Sequence, residues 1–324
     1  MAFPKFGEAT FFRKAVRIMT KRKFDGITIF LFLLPALILF IGILVAPLVT
    51  SGYYSFFEWK GFGDSTFIGI DNYKVLFKTF THKNAEVPFL WAARNALILA
   101  LCSLLIQLPI SLGLALLLGK GFKGERFFLS VNFLPVLIST VVIGQLWKKI
   151  YYPDGGLLNT ILRKVGYLKA DQPDITWLAE KGADGKSYLL GSVIVPMLWQ
   201  YVGYHMLLMY AGVKSVPPEL REAAKIDGAT DWQVDRFIVI PSMKQIIKVS
   251  VIFSVTGSLK SYDLVAILGT NKTRVAAVPS TLLMDQMTAW GRYGMGSAIA
   301  VLLIIMCFFF AILIGELFKD REKV

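Results

Sequence analysis

This sequence predicts an all-α integral membrane protein with six transmembrane helices. Three observations carry that prediction. The 324 residues are 55% hydrophobic with a mean hydropathy of +0.59, too apolar for a water-soluble domain of this size. Several apolar runs reach the roughly 20 residues that a helix needs to cross a bilayer. The basic residues gather at the ends of those runs, as loop charge does in membrane proteins.

The formal net charge of +13 is explained by anionic lipid and by topology, so no nucleic-acid partner is expected. Cys102 and Cys307 both lie inside apolar runs and offer neither a disulfide framework nor a metal-ligand spacing. His82 and His205 are far apart in sequence, and no metal site is expected.

In chain order, residues 1–26 form a basic cytoplasmic tail. Phe11, Phe12, Ala15, Val16 and Met19 share one helical face beside Arg13, Lys14 and Arg17. Two readings stand, an interfacial helix and a disordered tail. The remainder, 27–324, reads as one transmembrane domain. Its first span covers about 28–50, too long an apolar region for a signal peptide and without a convincing cleavage site. An aromatic external segment, 51–90, leads to a second span at about 91–118. The short connection that follows sets Lys120, Lys123 and Arg126 against Glu125, which marks it as cytoplasmic. A third span is expected at about 127–147, then an external segment, 148–188. The fourth span is expected at about 189–212, the fifth at about 243–268 and the sixth at about 297–318, with 269–296 outside. Both termini then lie in the cytoplasm.

Between the fourth and fifth spans, residues 213–242 are polar and helix-friendly. Pro217 and Pro218 suit a helix start, where a missing N–H costs little. Glu219 adds an acid to the positive first turn. Gly228 suits the stop. Asp231 is expected to cap a second helix, about 232–238, that Pro241 ends.

These residues also carry a resemblance. Glu222-Ala223-Ala224, Asp227-Gly228-Ala229, then Phe237, Ile238, Ile240 and Pro241 resemble the EAA loop of ABC importer permeases. Ile240 stands where that family usually has leucine. The resemblance runs from about residue 90 to the C-terminus. It implies a type I ABC importer permease fold, with Glu222, Ala223, Ala224, Asp227, Gly228 and Pro241 coupling the chain to a separate ATPase. ATP and Mg would then belong to that ATPase, and this chain would hold no cofactor and be no enzyme. The closest nucleotide-binding decoy, Gly185-Lys186-Ser187, has Glu180 where a Walker A glycine is required.

Two stripes suggest a substrate path. In the fourth span, Trp199, Gln200, Tyr201 and Tyr204 combine aromatic faces with polar edges, and 200, 201 and 204 share one helix face. They fit sugar rings or an aromatic belt at the interface. In the fifth span, Ser254, Ser258 and Ser261 fall at i, i+4 and i+7 beside Gly257, a pattern that fits helix packing or a polar path. The resemblance bears on both. In maltose-type permeases the sugar is held by the two spans flanking the EAA loop, at positions that match Gln200, Tyr201, Tyr204, Ser254, Gly257, Ser258 and Ser261. Serines here replace amides and an aromatic, which implies a different or larger sugar. Lys260 and Asp263 sit deep in the fifth span, spaced to pair with each other. A structural or subunit contact and a path for an acidic, uronate-like sugar both remain open.

The expected function is therefore the permease subunit of an ATP-driven, binding-protein-dependent oligosaccharide importer working by alternating access in a bacterial cytoplasmic membrane. Family logic implies a second homologous permease, two ATPase subunits and an extracytoplasmic solute-binding protein as partners. The rivals are an ABC permease for a non-sugar solute and a secondary transporter that needs no ATPase. No inverted repeat of the kind found in secondary transporters is visible.

Overall fold

A computed structural model describes residues 26–78, 88–169, 171–182, 187–269 and 274–319. The basic tail, with its expected interfacial helix, lies outside them. By contacts the chain divides into two units, Met1–Tyr53 and Tyr54–Val324. In the first, Gly26–Phe40 runs through a π-helical turn, Ile41–Val45, into Ala46–Tyr54.

Helical segments fall on all six expected stretches. Four are long and apolar enough to cross a membrane: Phe30–Tyr54, Phe89–Gly119, Lys244–Leu268 and Tyr293–Leu317. The third stretch is two helices rather than one. Glu125–Leu137 and Thr140–Ile150 meet at 95°. Pro135 removes one helical donor just before the break, and Ile138 and Ser139 are extended, with ψ of 137° and 133°. The fourth, Leu189–Ser215, is 27 residues long but less apolar than the four, because Gln200, Tyr201, Tyr204 and His205 dilute it.

Leu189–Ser215 nevertheless buries more residues than any other helix of the second unit. Val193, Met206, Met209 and Val213 are buried in the main core beside Leu99, Leu108, Ala115 and Leu118. Small residues permit this. A Cβ on Gly203 would lie 1.9 Å from the Asn132 carbonyl oxygen, and one on Gly119 would lie 2.3 Å from Val213. At Gly203 glycine lets two backbones meet, and at Gly119 it makes room for the Val213 side chain, the usual device of packed membrane helices. Ser111 adds a hydrogen bond to the Val202 carbonyl at 2.9 Å.

The fifth stretch also breaks. Lys244–Leu259 ends at Lys260, and Asp263–Leu268 starts a new short helix. The described residues of the segments expected outside the membrane are held by specific contacts. A two-stranded hairpin pairs Phe57 with Phe67 and Glu58 with Thr66, and Asn72 donates to the Ser55 and Phe57 carbonyls. In 148–188, buried Asn159 donates to the Pro153 and Ile175 carbonyls and accepts from the Trp177 indole. Arg163 holds Asp174 at 2.7 Å and donates to the Lys169 and Gln172 carbonyls. Asn95, inside the second span, donates to the Val275 and Ala277 carbonyls at 2.8 Å each. Those bonds fix the segment after 269 against the helices.

Candidate functional site

The polar residues of the fourth and fifth stretches meet around a cavity of about 440 Å³. Gln200, Tyr201 and Tyr204 line it from Leu189–Ser215, and Ser254, Gly257, Ser258 and Ser261 line it from the opposite side. The two expected stripes therefore face one space. Gln200 is buried and its amide nitrogen lies 3.4 Å from the Thr140 hydroxyl. The bend in the third stretch brings Thr140 there. Gly257 faces open space, and a Cβ added to it would meet nothing within 4 Å. Ser261 lies beyond the helix end, so the stripe does not continue to i+7 as a helical face. Its hydroxyl is 3.5 Å from the Met197 sulfur, and its carbonyl accepts from Ser280.

Trp199 departs from the expectation. It does not line the cavity, because one helical step turns it about 100° from Gln200. Its ring meets Trp147 edge-on at 6.0 Å.

Lys260 and Asp263 also line the cavity. The pair that their spacing would allow does not form, and no ion pair joins them among the described residues. The helical i, i+3 geometry is lost at the break. Each charge is instead placed where a helix end favours it. Lys260 sits at the C-terminus of Lys244–Leu259, and Asp263 is in the first turn of Asp263–Leu268.

Sequence reasoning missed the contribution of the second span. Ser103 and Gln107 bound a π-helical turn and are both buried at the cavity. Their i, i+4 spacing inside the apolar run 96–118 is the signal that could have found them. His205 is a second omission: it lines the cavity and is 3% exposed.

The loop between the fourth and fifth stretches forms a finger. Its first helix, Pro218–Ile226, buries no residue. Glu222, Ala223, Asp227 and Gly228 are exposed, while Ala224 packs against the core. Gly228 takes φ of 85°. The Ala229 N–H reaches the Ala224 carbonyl at 2.9 Å and the Gly228 N–H reaches the Lys225 carbonyl at 3.0 Å, a complete Schellman stop.

The second helix differs from the expectation at both ends. Thr230, not Asp231, is the N-cap, in a reciprocal capping box with Gln233. Pro241 does not end the helix. A π-helical turn, Asp235–Val239, precedes it, and helix continues over Ile240–Ser242. The wider turn absorbs the donor that proline lacks.

Released from capping, Asp231 pairs with Lys225 at 3.0 Å and Lys120 at 3.4 Å. Lys225, then Lys120, hold its carboxyl below the usual range. Lys120 also lies 3.8 Å from Asp235. The finger and the short connection 119–126 are thus on the same side. Leu220, Ile226, Trp232 and Phe237 stand exposed along the finger. Arg221 donates to the Val213 carbonyl at its base.

Comparison with known proteins places this geometry. Residues 107–322 match the model of the family described as binding-protein-dependent transport system inner membrane component. The chain is 34% identical over 288 residues to a probable ABC transporter permease of Pyrococcus horikoshii, covering 86% of this chain and 91% of that one. It is 34% identical over 298 residues to the probable ABC transporter permease YurN of Bacillus subtilis, at 91% and 97% coverage. A diacetylchitobiose uptake permease, NgcF of Streptomyces coelicolor, is 29% identical over 307 residues, at 91% and 83% coverage. Among solved structures, a chain of a bacterial ABC transporter involved in import of the acidic polysaccharide alginate superposes with a TM-score of 0.75. That match is 23% identical and covers 95% of this chain and 100% of that one. The fold is that of a type I ABC importer permease, and the chain belongs to the family of binding-protein-dependent transport system inner membrane components.

Proposed function

We propose that this chain is a permease subunit of an ATP-driven importer for an oligosaccharide, working by alternating access. The observation that carries the reading is the convergence of Gln200, Tyr201 and Tyr204 with Ser254, Gly257, Ser258 and Ser261 on one cavity. Aromatic faces take the C–H faces of a sugar ring, and the amide and hydroxyls take its hydroxyl groups. Relatives named for diacetylchitobiose uptake and for transport of starch degradation products support a saccharide.

In this reading, ATP and Mg bind a separate ATPase, two copies of which serve the complex. One copy grips the finger through Glu222, Ala223, Ala224, Asp227 and Gly228, with Pro241 setting the far end of the second helix. The Schellman stop and the Lys225–Asp231–Lys120 pairs make the finger stiff enough to transmit a displacement. The other partners are a second homologous permease and an extracytoplasmic solute-binding protein. One structure similar to this chain is of an alginate ABC transporter in complex with an alginate pentasaccharide-bound periplasmic protein. The chain works in the bacterial cytoplasmic membrane with both termini inside.

The test is ATP hydrolysis by the assembled complex in nanodiscs, with the binding protein and a panel of neutral and uronate di- to pentasaccharides. A sugar that stimulates hydrolysis supports the reading. Stimulation by a non-sugar solute alone overturns it.

A second reading concerns charge. Lys260 and Asp263 both line the cavity with no ion-pair partner among the described residues, and in this reading Lys260 meets a carboxylate of an acidic, uronate-containing substrate. Lys260→Gln is then expected to cut uronate uptake about tenfold while sparing neutral sugars. Equal uptake of uronates by both proteins refutes the charge assignment.

A further inference from the structure

The cavity is uneven in charge. Among the described residues, its only Asp, Glu, Lys or Arg side chains are Lys260 and Asp263, both at the break of the fifth stretch. Ser254 lies about 9 Å from Lys260 along the helix by the 1.5 Å rise. At that depth the lining changes to Ser254, Ser103, Gln107 and His205, all at most 4% exposed.

These side chains form a directed chain of hydrogen bonds. The Ser103 hydroxyl donates to Gln107 Oε1 at 2.7 Å. Its single proton is then used, so in the 2.6 Å contact between Ser103 and Ser254 the donor is Ser254. Ser258 in turn donates to the Ser254 carbonyl at 2.9 Å. The chain pins the carbonyl end of the Gln107 amide and so orients its nitrogen end. The printed bond of the Gln107 side chain uses its oxygen, the amide nitrogen has no hydrogen-bond partner among the described residues, and Gln107 lines the cavity. His205 Nδ1 is buried and likewise without a hydrogen-bond partner among the described residues. Ser103 and Gln107 owe their placement to the π-helical turn, a distortion that recurs at functional sites.

An amide donor with both hydrogens unused at a cavity wall is available to a ligand, and the buried His205 Nδ1 costs stability until a partner meets it. We infer that Ser103, Gln107 and His205 form a floor to the substrate cavity, contributed by the second span and by the inner half of Leu189–Ser215, that receives an uncharged hydroxyl-bearing sugar ring. Gln107 Nε2 donates to a hydroxyl oxygen of that ring. The floor has no fixed charge to balance a carboxylate, so any acidic group of the substrate lies at the Lys260 end. This inference rests on the oligosaccharide reading and assigns one end of the sugar within it.

The experiment uses the whole complex in proteoliposomes, with the binding protein saturated by each sugar in turn, so that discrimination arises in the permease. The probes are the best neutral or uronate oligosaccharide of the panel and its monodeoxy analogues, radiolabelled. With wild type, at least one monodeoxy analogue is expected to enter about tenfold more slowly than its parent. With Gln107→Met, which keeps the volume and removes the donor, the parent slows by a similar factor and the difference between parent and analogue disappears. Retained discrimination in Gln107→Met overturns the floor while leaving the oligosaccharide reading intact. If no sugar enters with wild type, the oligosaccharide reading falls first and the floor with it. Should Gln107→Met fail to assemble, Gln107→Asn keeps the amide but withdraws it by one methylene. It is expected to lose the same discrimination, and wild-type discrimination there refutes the inference.

Discussion

Replacing Gly203 with alanine tests whether the fourth helix owes its position to a backbone contact. The new Cβ would lie 1.9 Å from the Asn132 carbonyl oxygen, with the Asn132 carbonyl carbon at 2.6 Å and the Phe133 Cα at 3.0 Å. Ordinary contact starts at 3.4 Å, so the two helices must part by about 1.5 Å. All three obstacles are main-chain atoms and cannot rotate away. Overpacking of this kind costs about 1–3 kcal/mol, and the upper end applies when backbone must yield. The control is on the same helix. Gly191 has nothing within 4 Å of a Cβ and lies in the first turn of the helix, so Gly191→Ala is expected to stay within about 0.5 kcal/mol of wild type. The assay is unfolding of the purified chain in nanodiscs, followed by sugar uptake by the complex. Gly203→Ala is expected to lose about 3 kcal/mol and to slow uptake, because Gln200 and Tyr204 move with the helix. An unfolding curve superimposable on wild type, with unchanged uptake, would refute the close-packing argument.

Two further outcomes follow from the finger. Gly228→Val forces a β-branched residue to φ of 85°, at a cost of about 1–2 kcal/mol. The expected result is a loss of ATPase co-purification from detergent extracts while the chain itself remains folded by circular dichroism. Normal ATPase recovery would show that the turn need not be kept. Asp231 is held below its ordinary pKa of 3.8 by Lys225 and Lys120. A depressed carboxylate contributes above its unfolded value and loses that contribution as pH falls through the folded one. The difference between wild type and Asp231→Asn in proteolytic nicking of the finger is therefore expected to stay constant from neutral pH to about 5 and to close only below 3.8. A difference that closes near pH 6 would assign it to another group.

The apolar runs and the finger are legible in the sequence because their signals are local. Span length needs only a count of residues, and the Pro217–Gly228 stop needs only the chain's own turn chemistry. The face shared by Gln200, Tyr201 and Tyr204 is legible for the same reason. What sequence reasoning gets wrong depends on breaks in helical regularity. The 95° bend after Leu137, the fifth-stretch break at Lys260 and the turn at Ser103–Gln107 each change which residues share a face. A constant helical period carried through them puts Ser261 on a stripe it leaves and pairs Lys260 with an Asp263 it does not meet. Trp199 fails differently: it is an aromatic residue adjacent to a polar face, and one residue's rotation turns it toward Trp147 instead. Thr230 is hard to recognise as a cap because Asp231 next to it is an equally good capping type, and only the Gln233 partnership distinguishes them.

The helix Leu189–Ser215 falls short of the apolarity of the other long helices and yet buries more residues than any of them. Lipid alone gives such a segment weak reason to remain in the bilayer, since its polar groups require internal partners. Those partners precede it in the chain. Leu108–Gly119, which supplies Ser111, and Glu125–Leu137, which supplies the surface facing Gly203, are both synthesised before residue 189. Part of the slot for this helix is therefore already in the growing chain before the helix that fills it. Damage to that slot would surface in a living cell as a chain that is degraded during biogenesis, before any transport rate could be measured.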